Sequence, residues 1–299
     1  MSAGDLSALP LPAARESSDS RQEGAGHDPV APFADALRER FPSREALLAE
    51  ARAQTRARRR RLATAGSALV AVLAAALWWI DPVLERTALH AGIGQQARAT
   101  LADGSEVVLN TATDLRIERR LRSHRLKLER GEAAFRVAHG WRGFVVESGA
   151  VEVHDIGTAF NVRQRAAGVE VTVLEGAVEV REPLSAPRVL RTGQALLAGT
   201  ADRAQPIRAV DASSAAAWQS GRLVFDGTPL AAVVAELQRF RAAPLRLADE
   251  AAGRQRLSGA YDIAGLEALI DTLPRALPVK VRRLPGGEVT ISSAPEKKS

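Results

Sequence analysis

The chain has 299 residues, of which 46% are hydrophobic and 25% are charged, so it is long enough for two modest domains and too apolar for general disorder. It contains no cysteine, which excludes disulfides, thiolate metal sites and cysteine nucleophiles. The formal net charge of +6 comes almost wholly from arginine, and much of the excess precedes one apolar segment, so it says little about a substrate.

The chain begins with a polar tail followed by a short helical segment. Residues 1–32 lack apolar periodicity and are predicted to form a disordered tail. Residues 33–61 are predicted to form two short amphipathic helices, the second with Ser43 as its N-cap. The segment is either a solvated juxtamembrane helix or an element that folds against a cytoplasmic partner. The predicted partner-contact residues are Phe33, Leu37, Phe41, Leu47 and Leu48.

Residues 62–80 contain no charged side chain, and nineteen helical residues are about as long as the hydrocarbon core of a bilayer is thick. A signal peptide would begin nearer the N-terminus and end in a small-residue cleavage site, and a soluble core helix would keep a polar stripe. We therefore predict a retained transmembrane helix. The alternatives are a cleaved signal peptide and a buried core helix.

The residues on the two sides of this helix predict its orientation. Arg58, Arg59, Arg60 and Arg61 precede it, and Trp78 and Trp79 end it. Positive charge favours the cytoplasmic side and tryptophan favours an interface, so we expect a cytoplasmic N-terminus and a C-terminus on the other side. An arginine run can also indicate nucleic-acid binding, but its orienting role next to a membrane helix is the simpler explanation.

Residues 81–210 have the alternating periodicity of short strands separated by glycines. Asp103-Gly104 between two extended arms predicts a hairpin. The units RGEAAFRV, SGAVEV and EGAVEV repeat one pattern, which predicts a β-solenoid-like or jelly-roll array. One side of this array would bury the apolar residues Ala133, Phe135, Val137, Val151, Val153, Val178 and Val180.

Residues 211–292 are predicted to form a small α+β module, followed by a short tail at 293–299. Its first helix is predicted to begin with Thr228 as N-cap and Pro229 at the first helical position. The apolar face of that helix contains Leu230, Val233, Val234 and Leu237.

The pattern of chemically active side chains is not that of an ordinary enzyme. The five histidines do not have metal-ligand spacing, and we predict neither a metal nor a cofactor. Ser148, His154 and Asp155 are residue types of a hydrolase triad, but adjacent strand residues face opposite sides of a sheet. No phosphate-binding glycine loop is present.

Four stretches occur in a characteristic order: LADGSEVVLN, RGEAAFRVAHGWRGFVVESGAVEVHDIGTAFNVR, VTVLEGAVEV and WQSGRLVFDGTPLAAVVAELQRF. Together they resemble the FecR family of bacterial transmembrane signal transducers. The resemblance implies a cytoplasmic anti-sigma segment, one inner-membrane span, a β-rich periplasmic domain and a C-terminal module similar to short N-terminal domains of secretins and TonB-dependent receptors. All four tryptophans lie after Arg61, whereas family members usually carry a longer cytoplasmic segment that contains tryptophan, so this segment is shortened, divergent or replaced by another output.

The resemblance also implies partners. They are an extracytoplasmic-function sigma factor in the cytoplasm and the N-terminal signalling domain of an outer-membrane receptor, with metal or iron uptake as the setting. The predicted receptor-contact residues are Leu223, Phe225, Leu230, Val234, Leu237 and Phe240. The alternative is a membrane-anchored periplasmic structural or assembly protein without sigma regulation.

Some family members break their own chain at a Gly-Thr bond, and the matching residues here are Gly157 and Thr158. The Thr158 hydroxyl would attack the Gly157 carbonyl and convert the amide into an ester. The alternative is a glycine at a β-bulge, with Thr158 as an ordinary strand residue.

Overall fold

The computed structural model describes residues 43–138, 140, 143–183, 185–199 and 205–294. Contacts divide the chain into two units, Met1–Val72 and Leu73–Ser299. The first helix, α1 (Arg44–Ile80), is continuous for 37 residues, so no break separates the predicted juxtamembrane segment from the predicted span. Ser43 caps its start, because the Ser43 hydroxyl accepts a hydrogen bond from the Ala46 N–H at 3.2 Å.

In the described part of the chain, α1 is the one helix long and apolar enough to cross a membrane, and none of its residues is buried. A core helix of a soluble protein would bury one face, so the core-helix alternative does not fit this exposure. Its large apolar side chains instead point outwards on all sides, which is the arrangement that lipid would cover. They are Leu62, Leu69, Val70, Val72, Leu73, Leu77 and Ile80.

In the described residues, fourteen strands between α1 and position 209 form two large sheets. They are β1 (Val83–Ala91), β2 (Ala97–Thr100), β3 (Glu106–Leu109), β4 (Thr113–Arg120), β5 (Ser123–Arg130), β6 (Glu132–Arg136), β7 (Gly143–Ser148), β8 (Val151–Asp155), β9 (Ala159–Arg165), β10 (Gly168–Glu175), β11 (Ala177–Arg181), β12 (Arg188–Arg191), β13 (Gln194–Ala198) and β14 (Arg208–Ala209). Sheet A has the order β1-β4-β5-β7-β8-β11-β12, and sheet B has the order β14-β13-β10-β9-β6-β3-β2. Neighbouring strands are antiparallel except β5 and β7.

The two sheets pack face to face, because alternate residues of both contribute to one core. Phe135 of sheet B stacks on Phe160 at a centroid distance of 5.2 Å and meets Phe144 of sheet A edge-on at 6.1 Å. The described strands form no closed solenoid, so that part of the fold prediction is wrong. The repeated units do not lie in one sheet either. Ala133 and Phe135 belong to sheet B, whereas the predicted core valines of β8 and β11 belong to sheet A; they are Val151, Val153, Val178 and Val180. The jelly-roll connectivity stays a prediction.

The remaining elements form a small α+β module. It contains α2 (Ala212–Ala216), a 3₁₀ turn at Ala217–Ser220, β15 (Arg222–Pro229), α3 (Leu230–Gln238), β16 (Leu245–Leu247), α4 (Glu250–Arg254), β17 (Arg256–Asp262), a 3₁₀ turn at Ile263–Gly265, α5 (Leu266–Ala276), β18 (Val279–Arg283) and β19 (Val289–Ser293). Strands β15 and β17 pair with each other, and the second sheet has the order β16-β19-β18.

The start of α3 differs from its prediction by one residue. Pro229 is the N-cap, and Thr228 lies at the end of β15, where its hydroxyl accepts a hydrogen bond from the Asp226 N–H at 3.2 Å. Thr228 therefore stabilises a bulged strand end and does not cap the helix.

Candidate functional site

The predicted receptor-contact residues lie inside the module. Leu223 and Phe225 are each 7% exposed, and the α3 residues among them are at most 6% exposed. Phe240 is partly buried against the same cluster. Side chains in a core are not available to a partner while the fold stays closed, so these residues do not form an exposed contact surface. The physical reason is that the apolar face of α3 packs against the module's own strands and α4.

An open groove runs beside α3 on the surface of the module and has a volume of about 760 Å³. Its lining includes Ala231 of α3, Leu247 of β16 and Gly253 of α4. A methyl group on Gly253 would touch both Ala231 and Leu247 at 3.5 Å, so the glycine helps to keep the groove open. Strand β16 is at the edge of its sheet, where the Gln238 side chain accepts a hydrogen bond from the Leu245 N–H at 2.5 Å and covers part of the open edge.

The module covers the outer face of sheet B. Val108 and Ala134 point away from the sandwich core and join the module's apolar cluster with Trp218. Polar contacts lie around this apolar centre: the Thr111 hydroxyl donates to the Arg239 carbonyl at 2.9 Å, and the Gln96 amide donates to the Trp218 carbonyl at 2.7 Å. The module is therefore fixed to the sandwich by both apolar packing and hydrogen bonds.

A buried carboxylate, Glu132, is at the centre of this interface and is 4% exposed. It accepts hydrogen bonds from Arg239 at 2.6 Å, Asn161 at 2.7 Å and Asn110 at 2.9 Å. Burial alone would raise the pKa of Glu132, but the guanidinium groups of Arg239 and Arg163 outweigh it and lower that pKa below its ordinary value. Glu132 is therefore held ionised inside the protein.

The same network continues onto α3. Arg239 also contacts Glu236 at 2.5 Å, and Arg163 of β9 contacts Glu236 at 2.8 Å. Burial lowers the pKa of Arg239, and the two glutamates raise it by more, so the guanidinium stays charged. Alternating charges thus connect the sandwich with the first long helix of the module.

Gly157 and Thr158 lie in the turn that joins β8 to β9. The carboxylate of Asp155 accepts hydrogen bonds from the Gly157 N–H at 2.9 Å and from the Thr158 hydroxyl. Gly157 has a φ of 97°, a conformation that side chains with a Cβ rarely adopt. The hydroxyl predicted to be a nucleophile is therefore bonded to a carboxylate that can accept its proton.

A cleft of about 280 Å³ adjoins this turn. Its lining includes both residues of the Gly157–Thr158 bond and three charged side chains, Glu106, Arg136 and Glu175. Arg136 and Glu175 are 64% and 76% exposed as side chains, so water reaches the cleft. The Thr158 carbonyl is bonded to the Val137 N–H at 2.9 Å, which fixes the start of β9.

Ser148, His154 and Asp155 do not assemble as a catalytic triad. His154 contacts Glu152 at 3.0 Å, whereas Asp155 binds its own turn. Ser148 is 1% exposed, so a substrate does not reach its hydroxyl. In the described residues no group of three or more histidine, aspartate or glutamate side chains is arranged to hold a metal.

The end of α1 is attached to the loop between β4 and β5. Asp81 accepts hydrogen bonds from the Arg122 N–H at 2.8 Å and the Ser123 hydroxyl at 2.5 Å, and the Arg122 guanidinium lies 5.4 Å from the Trp78 ring centroid. Burial raises the pKa of Asp81, but the bonds from Ser123 and Arg122 lower it by more. Trp79 is the more exposed tryptophan, at 84%.

The predicted sigma-contact residues are only partly described. Leu47 and Leu48 are 53% and 46% exposed on α1, which leaves them available to a partner. Phe33, Leu37 and Phe41 lie outside the described residues. The four arginines from Arg58 to Arg61 are exposed on the same helix, immediately before the apolar stretch.

Comparisons with known proteins agree with this architecture. Residues 87–179 match the family model for FecR protein, and they include β4 to β10 and the Gly157–Thr158 turn. This segment is similar to the FecR family. The FecR match lies within the sandwich and includes both residues of the proposed cleavage bond.

Two crystal structures of a candidate anti-sigma factor from Parabacteroides distasonis are similar to the chain, each with a TM-score of 0.60. Their sequences are 24% and 25% identical to this chain. Each similarity covers 70% of this chain and 100% or 99% of the solved structure. The fold is therefore shared over almost the whole of those structures. No curated protein matches the chain.

The roles of Glu132 and Asp155 in these sites were not predicted from the sequence. Glu132 follows the glycine of RGEAAFRV, and the local pattern indicates an ordinary exposed residue at the start of a strand. Nothing in that pattern shows that a second module covers it. Asp155 did carry a usable signal, since an aspartate two residues before a glycine is typical of a turn closed by its own side chain.

Proposed function

We propose that this protein is a single-pass inner-membrane signal transducer that regulates an extracytoplasmic-function sigma factor. The observation that carries this proposal is the FecR match over residues 87–179. The likeness to the candidate anti-sigma factor and the single apolar helix support it. The arginines before the span favour a cytoplasmic N-terminus, with the sandwich and module in the periplasm.

The sigma factor would bind the exposed start of α1 through Leu47 and Leu48. Replacing both with glutamate should remove the apolar contact and change the output of a sigma-dependent reporter. Ala53→Glu is the matched control, because the helical period places Ala53 on the opposite face. Equal reporter output from the wild type and the double variant, with both proteins present in the membrane, would contradict this contact.

The signal would arrive from the N-terminal domain of a TonB-dependent outer-membrane receptor, in a setting of metal or iron uptake. The groove beside α3 and the partly covered edge strand β16 are the surfaces of the module suited to that contact. Ala231→Arg should block the groove and abolish the response to the receptor. Ala235→Arg is the control, because Ala235 is an exposed residue of the same helix that does not line the groove.

A membrane-anchored structural or assembly protein is the alternative. Deleting residues 1–55 separates the two functions while keeping the arginines that orient the span. Sigma regulation requires that the deletion change reporter output, whereas a structural role predicts unchanged transcription together with an envelope defect when the whole chain is removed.

We also infer that the chain cleaves itself between Gly157 and Thr158. Asp155 would take the proton of the Thr158 hydroxyl as that oxygen attacks the Gly157 carbonyl carbon. The C–N bond then breaks, the Thr158 nitrogen gains a proton, and an ester links the two residues. Water from the adjoining cleft hydrolyses the ester to a Gly157 carboxylate and a free Thr158 hydroxyl.

The test is a denaturing gel with mass spectrometry of the fragment ends. We expect fragments that end at Gly157 and begin at Thr158, retained in Thr158→Ser and absent in Thr158→Ala. Asp155→Asn should slow cleavage, because an amide keeps the turn but cannot accept the proton. A single full-length band for the wild type would show that this turn is structural.

A further inference from the structure

Another cavity, distinct from the groove beside α3 and from the cleft at Gly157, lies between the module and sheet B. Its volume is about 340 Å³. Asn161 and Thr172 line it from the sandwich, and Trp218 and Glu236 line it from the module. Small-molecule sites are commonly found at such junctions between folded parts, in cavities of about this size.

Two buried polar atoms among the residues that line this cavity lack a hydrogen-bond partner in the described part of the chain. Trp218 is 5% exposed, and its indole Nε1–H has no acceptor. Asn161 is also 5% exposed; its amide nitrogen donates to Glu132, but its Oδ1 atom accepts nothing. Buried donors and acceptors in folded proteins are almost always paired. An occupant that accepts from Trp218 and donates to Asn161 would satisfy both.

The charges around the cavity favour an anion. Three glutamates line the cavity, and five arginines either line it or form ion pairs with these glutamates. The glutamates are Glu132, Glu170 and Glu236, and the arginines that line the cavity or pair with them are Arg163, Arg165, Arg208, Arg222 and Arg239. Arg222 is exposed at the cavity and makes no ion pair within the described residues, so its guanidinium is free for an anionic ligand.

We propose that this cavity binds a small hydroxylated oxyanion. Its carboxylate or phosphate oxygens accept from the Trp218 indole and the Arg222 guanidinium, and its hydroxyl donates to Asn161 Oδ1. Because such a ligand contacts the sandwich and the module together, it stabilises their docked arrangement over any arrangement in which they separate. The cavity thereby makes module docking sensitive to a soluble metabolite.

The test uses the full chain in detergent micelles, with D-glycerate and glycerol 3-phosphate as probes. Propionate lacks the hydroxyl, and glycerol lacks the charge. We expect at least one of the two hydroxylated oxyanions to raise the unfolding temperature by about 2–4 °C at concentrations well above its Kd, and the two lesser probes to give a smaller shift. The preference between the two probes identifies carboxylate or phosphate as the recognised group.

Two substitutions test the site itself. Trp218→Phe keeps one aromatic ring and removes the indole N–H together with the second ring, and Arg222→Gln removes the free cation. Each should weaken binding about tenfold in calorimetric titration, the loss expected for one hydrogen bond to a charged group. Arg246→Gln is the control, because Arg246 pairs with Glu288 at 3.2 Å and does not line the cavity.

The proposal is overturned if neither oxyanion binds, if glycerol and propionate bind equally well, or if both site variants keep wild-type affinity. In those cases the cavity holds water alone or the probe binds elsewhere.

Discussion

Removing Arg239 should weaken the attachment of the module to the sandwich, because Glu132 would lose the cation that it contacts at 2.6 Å. Breaking a buried ion pair by deleting one partner typically costs about 3–5 kcal/mol. Two amide hydrogen bonds, from Asn161 and Asn110, would still reach the carboxylate. We therefore expect Arg239→Ala to cost about 3 kcal/mol, at the lower end of that range, and to lower the unfolding temperature by about 6–12 °C.

Thermal and urea unfolding of the full chain in detergent would measure this loss. Arg246→Ala is the matched control, since its ion pair is 68% exposed on the arginine side and should contribute about 0–1 kcal/mol. Adding Glu132→Gln to Arg239→Ala should recover part of the loss, because a neutral amide no longer needs the cation. A cost near that of the control, or no recovery in the double variant, would refute the buried-charge argument.

Three further predictions follow from named contacts. Because the pKa of Glu132 is lowered on folding, its ionised form stabilises the fold above the ordinary carboxyl pKa of about 4.3, and this contribution is lost as the pH falls through the folded-state pKa. Glu132→Gln should therefore flatten the acid side of the stability curve measured by urea unfolding. Gly149 has a φ of 57° and open space around it, so Gly149→Ala should cost about 1–2 kcal/mol of stability from backbone strain alone. Gly176→Ala should cost about 1–3 kcal/mol more, because its methyl group would also lie 2.5 Å from the Gly157 oxygen. Equal losses in the two variants would contradict that clash. Phe135→Ala should cost about 3–5 kcal/mol in the same assay, and a loss under about 1 kcal/mol would contradict its place in the core.

Local periodicity predicted most of the secondary structure. The alternation around Val151 and Val178 identified buried strand residues, and the Asp103-Gly104 turn joins β2 to β3 as expected. A strand pattern states which residues are buried but not which sheet the strand joins, since pairing partners are distant in sequence. The predicted array therefore contained the correct apolar residues but placed them on a single side. The structure places them on two facing sheets.

The same limit explains the predicted receptor surface. The spacing of Leu230, Val234 and Leu237 indicated an apolar helix face, and the structure confirms that these residues share one buried side. Periodicity does not tell whether such a face covers the protein's own core or a partner. Here the apolar face of α3 packs inside the module, and the module's core also includes Val108 and Ala134 of the sandwich. A local sequence pattern shows neither the packing of α3 nor the contact with the sandwich.

The cytoplasmic contact of α1 is the central claim, and photo-crosslinking tests it most directly. A photoreactive amino acid would replace Leu48 in one version of the full chain and Ala53, on the opposite helix face, in another. Crosslinked partners in intact cells would be identified by mass spectrometry. The account predicts an adduct with an extracytoplasmic-function sigma factor at position 48 and a much weaker one at position 53. Absence of a sigma factor from the adducts at position 48, in a chain correctly placed in the membrane, would contradict it.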